Sequence, residues 1–282
     1  MTDTQRSLYC FGLGYSAMRL AERMLARGWR VGGTVRGDDK AETLQTEGIA
    51  ADVWDGQGLV SPPVGSDWVI SVPPDEGGCP VFASAVSQAA SAKSITYLST
   101  TGVYGDLGGG WAFEWTPINP QSKRAENRVR AEQQWLSTGQ RVSLVRLPGI
   151  YGPGRSPLDR VRKGEARRIV KLGQVFSRVH VDDIASGLEA LLLTEREGGV
   201  FHLCDDEPAP PQDVIAHAAC LLGVDPPPEV EFDDADLSPM ARSFYAECKR
   251  VSNARAKAAL GWRPAYPTYR DGLSAILKAE TC

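Results

Sequence analysis

The chain predicts an α/β fold: a doubly wound parallel sheet with helices on both faces and a smaller C-terminal domain. Three observations carry this. A strand, glycine turn, helix, strand unit fills residues 8–35; apolar, β-branched runs then alternate with helical stretches to about residue 150; beyond it, proline-rich connectors break the pattern. With 282 residues and 42% apolar side chains, there is ample material for a large core.

The first strand is 8–11, and the turn is Gly12-Leu13-Gly14-Tyr15-Ser16-Ala17. A helix runs from the turn to about residue 27 with Met18, Ala21, Met24 and Leu25 on one face, and Gly28 stops it before the second strand, 30–35. This spacing builds a dinucleotide pyrophosphate pocket. Gly12 permits the tight turn, Gly14 lets backbone N–H groups approach phosphate, and Ala17 allows close strand–helix packing. Gly12, Gly14, Tyr15, Ser16 and Ala17 are therefore the expected pyrophosphate residues. About 20 residues on, where NAD sites place an acid for the ribose, the second strand ends in Arg36. Its guanidinium suits a 2′-phosphate, which favours NADP over NAD as the cofactor. The other reading leaves Arg36 solvated and gives the ribose to Asp38 or Asp39.

Further strand-like runs are 49–54, 68–72, 94–99 and 142–147, and helical ones are 81–93 and 125–137. After Pro148 the chain loosens into a glycine- and proline-rich stretch, and a strand at 178–181 then feeds a helix capped by Asp182 or Asp183 before a last strand at 200–203. Residues 1–150 plus 178–203 are expected to form the sheet domain. Residues 151–177 plus 204–282 would form the small substrate-binding domain, with the ligand cleft between them at the carboxyl ends of the strands.

A net charge of −4 supplies no basic surface for nucleic acid, and no apolar run approaches the roughly 20 residues needed to span a membrane. Residues 1–7 are polar, which points to the cytoplasm. Six scattered cysteines read as reduced thiols. His202 and Cys204 alternate beside Asp205 and Asp206, but with only three histidines in the chain no metal site is expected.

Tyr97-Leu98-Ser99-Thr100-Thr101-Gly102-Val103-Tyr104-Gly105 resembles the fifth-strand signature of the short-chain dehydrogenase/reductase superfamily, in its extended branch of nucleotide-sugar epimerases and dehydratases. The glycine turn at Gly12, the run from Arg146 to Arg155, the run from Phe176 to Ala185 and the Leu260-Gly261-Trp262 segment resemble that branch in the same order. The resemblance implies a Rossmann-type fold. It puts Thr100 at the hydroxyl that bonds the reacting oxygen, Asp52 near adenine, and Pro73 and Pro148 beside the cofactor. With Glu132 taken as the family acid, Arg128 falls at the family lysine and Arg124 at the catalytic tyrosine. Arginine, with a pKa above about 12, keeps its protons at neutral pH and cannot run that acid–base step. Tyr104 and Tyr151 are the alternative proton donors, each otherwise a packed aromatic.

Arg124 and Arg128 share a helix face and could hold a substrate carboxylate or phosphate, or Arg128 could contact the nicotinamide ribose. The competing reading is a solvated face with Arg128–Glu132 and Glu126–Arg130 pairs. Residues 105–111, with Trp111, Glu114 and Trp115, read either as a lid or as a surface loop, and His180 as a residue hydrogen-bonded at the domain junction. The expected protein is an atypical short-chain dehydrogenase/reductase, monomeric or homodimeric. It would be an NADP(H)-dependent oxidoreductase or epimerase/dehydratase acting on a small polar, anionic or sugar-like molecule. The alternative is a nucleotide-binding sensor without redox chemistry.

Overall fold

The structure, a computed structural model, describes residues 5–194 and 197–281. Through the sheet region the order is β1 (Ser7–Phe11), α1 (Tyr15–Ala26), β2 (Arg30–Val35), α2 (Asp38–Thr46), β3 (Ile49–Val53), β4 (Asp67–Ile70), α3 (Pro80–Ala85), β5 (Ser94–Thr100), α4 (Lys123–Leu136) and β6 (Val142–Leu147). Then come α5 (Pro157–Arg162), α6 (Val181–Leu193), β7 (Gly199–His202), α7 (Pro211–Leu221), α8 (Pro239–Phe244), α9 (Ala254–Leu260) and α10 (Tyr269–Thr281). The seven strands form one parallel sheet in the order β7-β6-β5-β4-β1-β2-β3. The winding direction reverses between β1 and β4, which opens a crevice at their carboxyl ends, beside the Gly12 turn.

β4 is buried along its whole length, as a central parallel strand covered on both faces must be. One face of the sheet packs on α1 and α6, where Leu20, Met24, Ile184 and Leu188 are fully buried, each contributing about 1.5–3 kcal/mol. The other face carries Phe11, Trp68, Tyr97 and Trp135 against α3 and α4. A further apolar cluster lies apart from these: Tyr151, Leu158, Val214, Ala218, Tyr269 and Leu273, from α5, α7, α10 and the chain after β6. Three prolines in this part of the chain, Pro157, Pro211 and Pro239, start helices, where the missing N–H costs no bond.

Three local expectations change. The helix expected over 81–93 stops at Ala85, whose own helical geometry gives way, and continues as a 3-10 segment, Val86–Ser91. Its larger rise per residue returns the chain to β5 sooner. The strand Arg178–His180 pairs with Gly149–Tyr151 and not with the large sheet, because Pro148 lacks an N–H and the chain leaves the sheet after Leu147. The cap of α6 is His180 and not an aspartate: Nδ1 accepts the Asp182 N–H at 3.2 Å. Asp183 instead accepts the N–H groups of Ala265 and Tyr266, tying α6 to the C-terminal segment.

Cys10, Cys79, Cys204, Cys220 and Cys248 are free thiols, and Cys282 lies outside the described residues. Among the described residues no helix is long and apolar enough to cross a membrane.

Candidate functional site

The glycine turn closes at the carboxyl end of β1. Gly12 has φ +87°, a conformation that favours glycine. Its N–H donates to Thr34 Oγ1 at 2.8 Å, and the Leu13 N–H donates to the Thr34 carbonyl at 2.8 Å, so β2 fixes the turn. Ala17 is fully buried against the sheet. Gly14 precedes α1; a Cβ there would meet nothing within 4 Å. No side chain caps this helix, and its first turn holds no acid, so the N–H groups at its start are available to an anion. These residues fit a pyrophosphate.

Ser16 sits half-buried in the first turn of α1, while the Tyr15 hydroxyl donates to the Pro153 carbonyl at 3.0 Å. Arg36 is exposed just beyond β2. Asp52, near the end of β3, accepts from the Tyr9 hydroxyl at 2.6 Å. Pro73 is exposed after β4. The cofactor candidates Gly12, Gly14, Tyr15, Ser16, Ala17, Arg36, Asp52 and Pro73 thus lie on or just beyond the carboxyl ends of β1 to β4, with Lys40 added by its bond to the Leu13 carbonyl at 2.7 Å.

A cleft of about 640 Å³ adjoins the ends of β5 and β6. Thr100, Arg124, Arg128 and Pro148 all line it, although 24 to 48 residues separate Thr100 from the others in sequence. Thr100 Oγ1 accepts the Gly102 N–H at 3.2 Å, which leaves its own proton to donate. Arg128 donates to the Leu98 carbonyl at 2.8 Å and to the Tyr97 hydroxyl at 3.1 Å, so β5 anchors the guanidinium. Arg124 lies 5.8 Å from the ring of Phe244, a residue of α8 that is 57% exposed at the cleft.

The expected Arg128–Glu132 pair is absent because Glu132 has a buried partner, Arg146 on β6, at 2.7 and 3.0 Å. Ser99 also donates to Glu132. The same Arg146 holds Tyr104: its Nη1 donates to the tyrosine oxygen at 2.7 Å, and His202 Nε2 lies 2.6 Å from that oxygen. Tyr104 is fully buried and is not among the residues lining the cleft. Burial pushes its phenol up to about 12 and His202 down to about 4, so both stay neutral near pH 7.

Glu114 is buried and accepts the His202 N–H at 3.2 Å, which fixes it in the interior and not on a lid. The loop before it is pinned as well, with the Leu107 and Gly109 N–H groups donating to the Cys248 carbonyl.

The cleft also contains Arg178, Glu247 and Lys249, which carried no assigned role in the sequence reading. Lys249 is 9% exposed, donates to the Gly105 carbonyl at 2.6 Å and pairs with Glu247. No periodicity marks these residues; the 243–251 segment is held at the cleft by the pairing of Arg250–Val251 with Trp111–Ala112, by the bonds to the Cys248 carbonyl, and by the Val251 N–H donating to Ser177 Oγ. Among its lining residues the cleft therefore has four cationic side chains, Arg124, Arg128, Arg178 and Lys249, against one carboxylate.

The strand order and the crevice beside the glycine turn define a Rossmann-type protein with the fold of NAD-dependent epimerases and dehydratases. One example is UDP-glucuronic acid 4-epimerase from Bacillus cereus in complex with NAD, with a TM-score of 0.76, 15% identity, and 96% of each chain covered. No protein-family model matches the chain. The protein YeeZ of Escherichia coli is 30% identical over 237 residues, 77% of this chain and 84% of its own, and this chain belongs to the YeeZ family. A functionally unknown conserved protein from Silicibacter pomeroyi DSS superposes with a TM-score of 0.91 at 46% identity, covering 99% of this chain and 100% of its own. A 3-diazoavenalumate denitrifying reductase from a Streptomyces species is 33% identical over 144 residues, 46% of this chain and 45% of its own.

Proposed function

We propose that this protein is an NADP(H)-dependent oxidoreductase acting on a small anionic molecule in the cleft between Thr100 and Lys249. The observation that carries this reading is the convergence of Thr100 with four cations and one acid in one cleft at the ends of β5 and β6. A bound nicotinamide would supply the hydride. The chain's own residues do the rest: the Thr100 hydroxyl donates to the reacting oxygen, and Arg124 holds the substrate's negative charge. Arg128, fixed on β5, replaces the family lysine as a charged contact that cannot titrate. We assign proton supply to Lys249, whose ammonium group lines the cleft. Arg36 beside the turn, with Lys40 one helical turn on, supports NADP over NAD. The reductase among the relatives supports oxidoreduction over epimerisation.

A sensor without redox chemistry is the second reading, favoured by arginine at position 124 and by the enclosure of Tyr104. Fluorescence titration with NADPH and NADH comes first. Tighter NADPH binding, followed by NADPH oxidation in the presence of a carbonyl-bearing organic acid that Thr100→Val slows at least tenfold, fits the enzyme. Binding without turnover across such a panel fits the sensor, and failure to bind either cofactor discards both.

A further inference from the structure

Phe244 ends α8 with its ring exposed at the cleft, and its neighbour explains why it stands there. Tyr245 packs edge-on against Phe176, with ring centroids 5.6 Å apart, and lies 5.2 Å from the ring of Phe232. Lys171 also donates to the Tyr245 carbonyl. These contacts pin the end of α8 and leave the Phe244 ring outside the core clusters. A single exposed phenylalanine is ordinary on a protein surface. This one shares a cleft with a second aromatic wall, Phe176, and with an uncommitted cation.

That cation is Arg124. The other three in the cleft are engaged: Arg128 by the Leu98 carbonyl and the Tyr97 hydroxyl, Lys249 by Glu247, and Arg178 by the Phe176 and Ala209 carbonyls, with the buried Asp205 side chain facing it. Among the described residues the Arg124 guanidinium makes no hydrogen bond or ion pair, and its contact is the Phe244 ring at 5.8 Å. One free guanidinium matches one negative charge, whereas a diphosphate would call for a second. Because the free cation and the exposed ring are adjacent, a ligand that meets both carries its charge on or close to its own ring.

We propose that the substrate of the cleft is an aromatic monocarboxylate, its carboxylate held by Arg124 and its ring packed on Phe244, with Phe176 as the second wall. This rests on the anionic-substrate reading above and narrows it. Phe244 is then a specificity-determining residue, selecting the ring while Arg124 selects the charge.

The test is calorimetric titration of the full chain, with NADPH at saturation and again without it, using benzoate, cyclohexanecarboxylate and isophthalate. The first two have the same charge and nearly the same size and differ in the aromatic face; the third adds a second charge to the same ring. Benzoate should bind about three- to tenfold more tightly than cyclohexanecarboxylate, and isophthalate no more tightly than benzoate. Phe244→Leu, at an exposed position, should abolish the preference for benzoate, and Phe244→Tyr should keep it. Arg124→Gln should weaken both monocarboxylates at least about tenfold. The proposal is overturned if the two monocarboxylates bind alike, if Phe244→Leu keeps the preference, or if isophthalate binds tenfold more tightly than benzoate. If Arg124→Gln changes nothing, or neither acid binds at millimolar concentration, the anionic-substrate reading falls as well. If Arg124→Gln weakens binding while Phe244→Leu does not alter the preference, only the aromatic class is lost.

Discussion

Glu132 on α4 and Arg146 on β6 meet through two parallel hydrogen bonds, 2.7 and 3.0 Å, where neither residue is more than 3% exposed. Ser99, Tyr104 and, through it, His202 complete the network, which holds the ends of β5, β6 and β7 in register behind the cleft. Breaking a buried pair strands a charge. Glu132→Gln is therefore expected to destabilise the fold by about 3–5 kcal/mol, whereas Glu132→Leu combined with Arg146→Met should recover most of that loss. Urea denaturation of both variants beside the wild type measures it; Glu132→Gln as stable as wild type would show that the pair carries no such weight.

Gly12 and Gly14 should separate fold from binding. Gly12 sits at positive φ with Ser71 Oγ 3.0 Å from where a Cβ would be, so Gly12→Ala should cost about 1–2 kcal/mol or more. Gly14 has φ −92° and open space at its Cβ, so Gly14→Val should cost no more than about 1 kcal/mol. That same space is the approach to the helix N-terminus, and the valine should weaken NADPH by at least about tenfold. Equal NADPH affinity in Gly14→Val and wild type would place the cofactor elsewhere.

The sheet was legible in sequence because its signals are local. Alternating apolar runs gave the strands at 30–35 and 142–147 to the residue, and the spacing of Gly12, Gly14 and Ala17 gave the turn. The cleft was legible only in part. Thr100, Arg124, Arg128 and Pro148 came from motif positions on β5, α4 and β6, and the structure brings all four to one wall. Arg178 and Lys249 were not assigned, because their place depends on two short strand pairings, 149–151 with 178–180 and 111–112 with 250–251, between segments far apart in the chain. The Arg128–Glu132 pair failed for the same kind of reason. Spacing along one helix says nothing about a stronger partner arriving from β6.

Arg36 should set cofactor choice. It is exposed beyond β2, so Arg36→Asp changes charge with little effect on the fold. Replacing a guanidinium by a carboxylate at that position should weaken NADPH about a hundredfold and leave NADH within about threefold of its former affinity. Parallel titrations of the two reduced cofactors decide it, and an unchanged ratio would leave the ribose to Asp38 or Asp39.

Arg124→Tyr with Arg128→Lys would install the family pair in the cleft. Arg128 gives two bonds to β5, to Leu98 and Tyr97, that a lysine cannot both reproduce, so the change should cost about 1–2 kcal/mol of stability. If the anionic-substrate reading holds, Arg124→Tyr alone should raise KM for an organic acid at least about tenfold, through loss of a charged contact. A KM that does not move would take Arg124 out of the substrate site.

Asp205 should make stability fall as pH rises from 6.5 to 8. It is 2% exposed, both of its carboxylate oxygens lack a hydrogen-bond partner, and burial pushes it up to about 8 from the ordinary 3.8, with Arg178 only partly opposing. Between those values the folded chain keeps a proton that the unfolded chain has released, so the stability this proton provides is whole below about pH 4 and is lost as pH climbs through 8. Asp183, raised to about 6, acts in the same sense and is nearly spent by about pH 7. His180 and His202, each lowered by burial to about 4, act in the opposite sense, and their window runs from 6.5 down to 4. The histidine and Asp183 contributions overlap that of Asp205 at about pH 6.5 and fade above about pH 7, so the difference between wild type and Asp205→Asn isolates Asp205. The contribution of Asp205 itself should decline there by up to about 1.4 kcal/mol per pH unit, the limit for one proton. In Asp205→Asn the slope should flatten, and the variant should gain on the wild type with each step in pH. Identical slopes in urea denaturation at pH 6.5, 7.25 and 8 would mean that Asp205 is already ionised in the fold, with Arg178 as its full counter-charge.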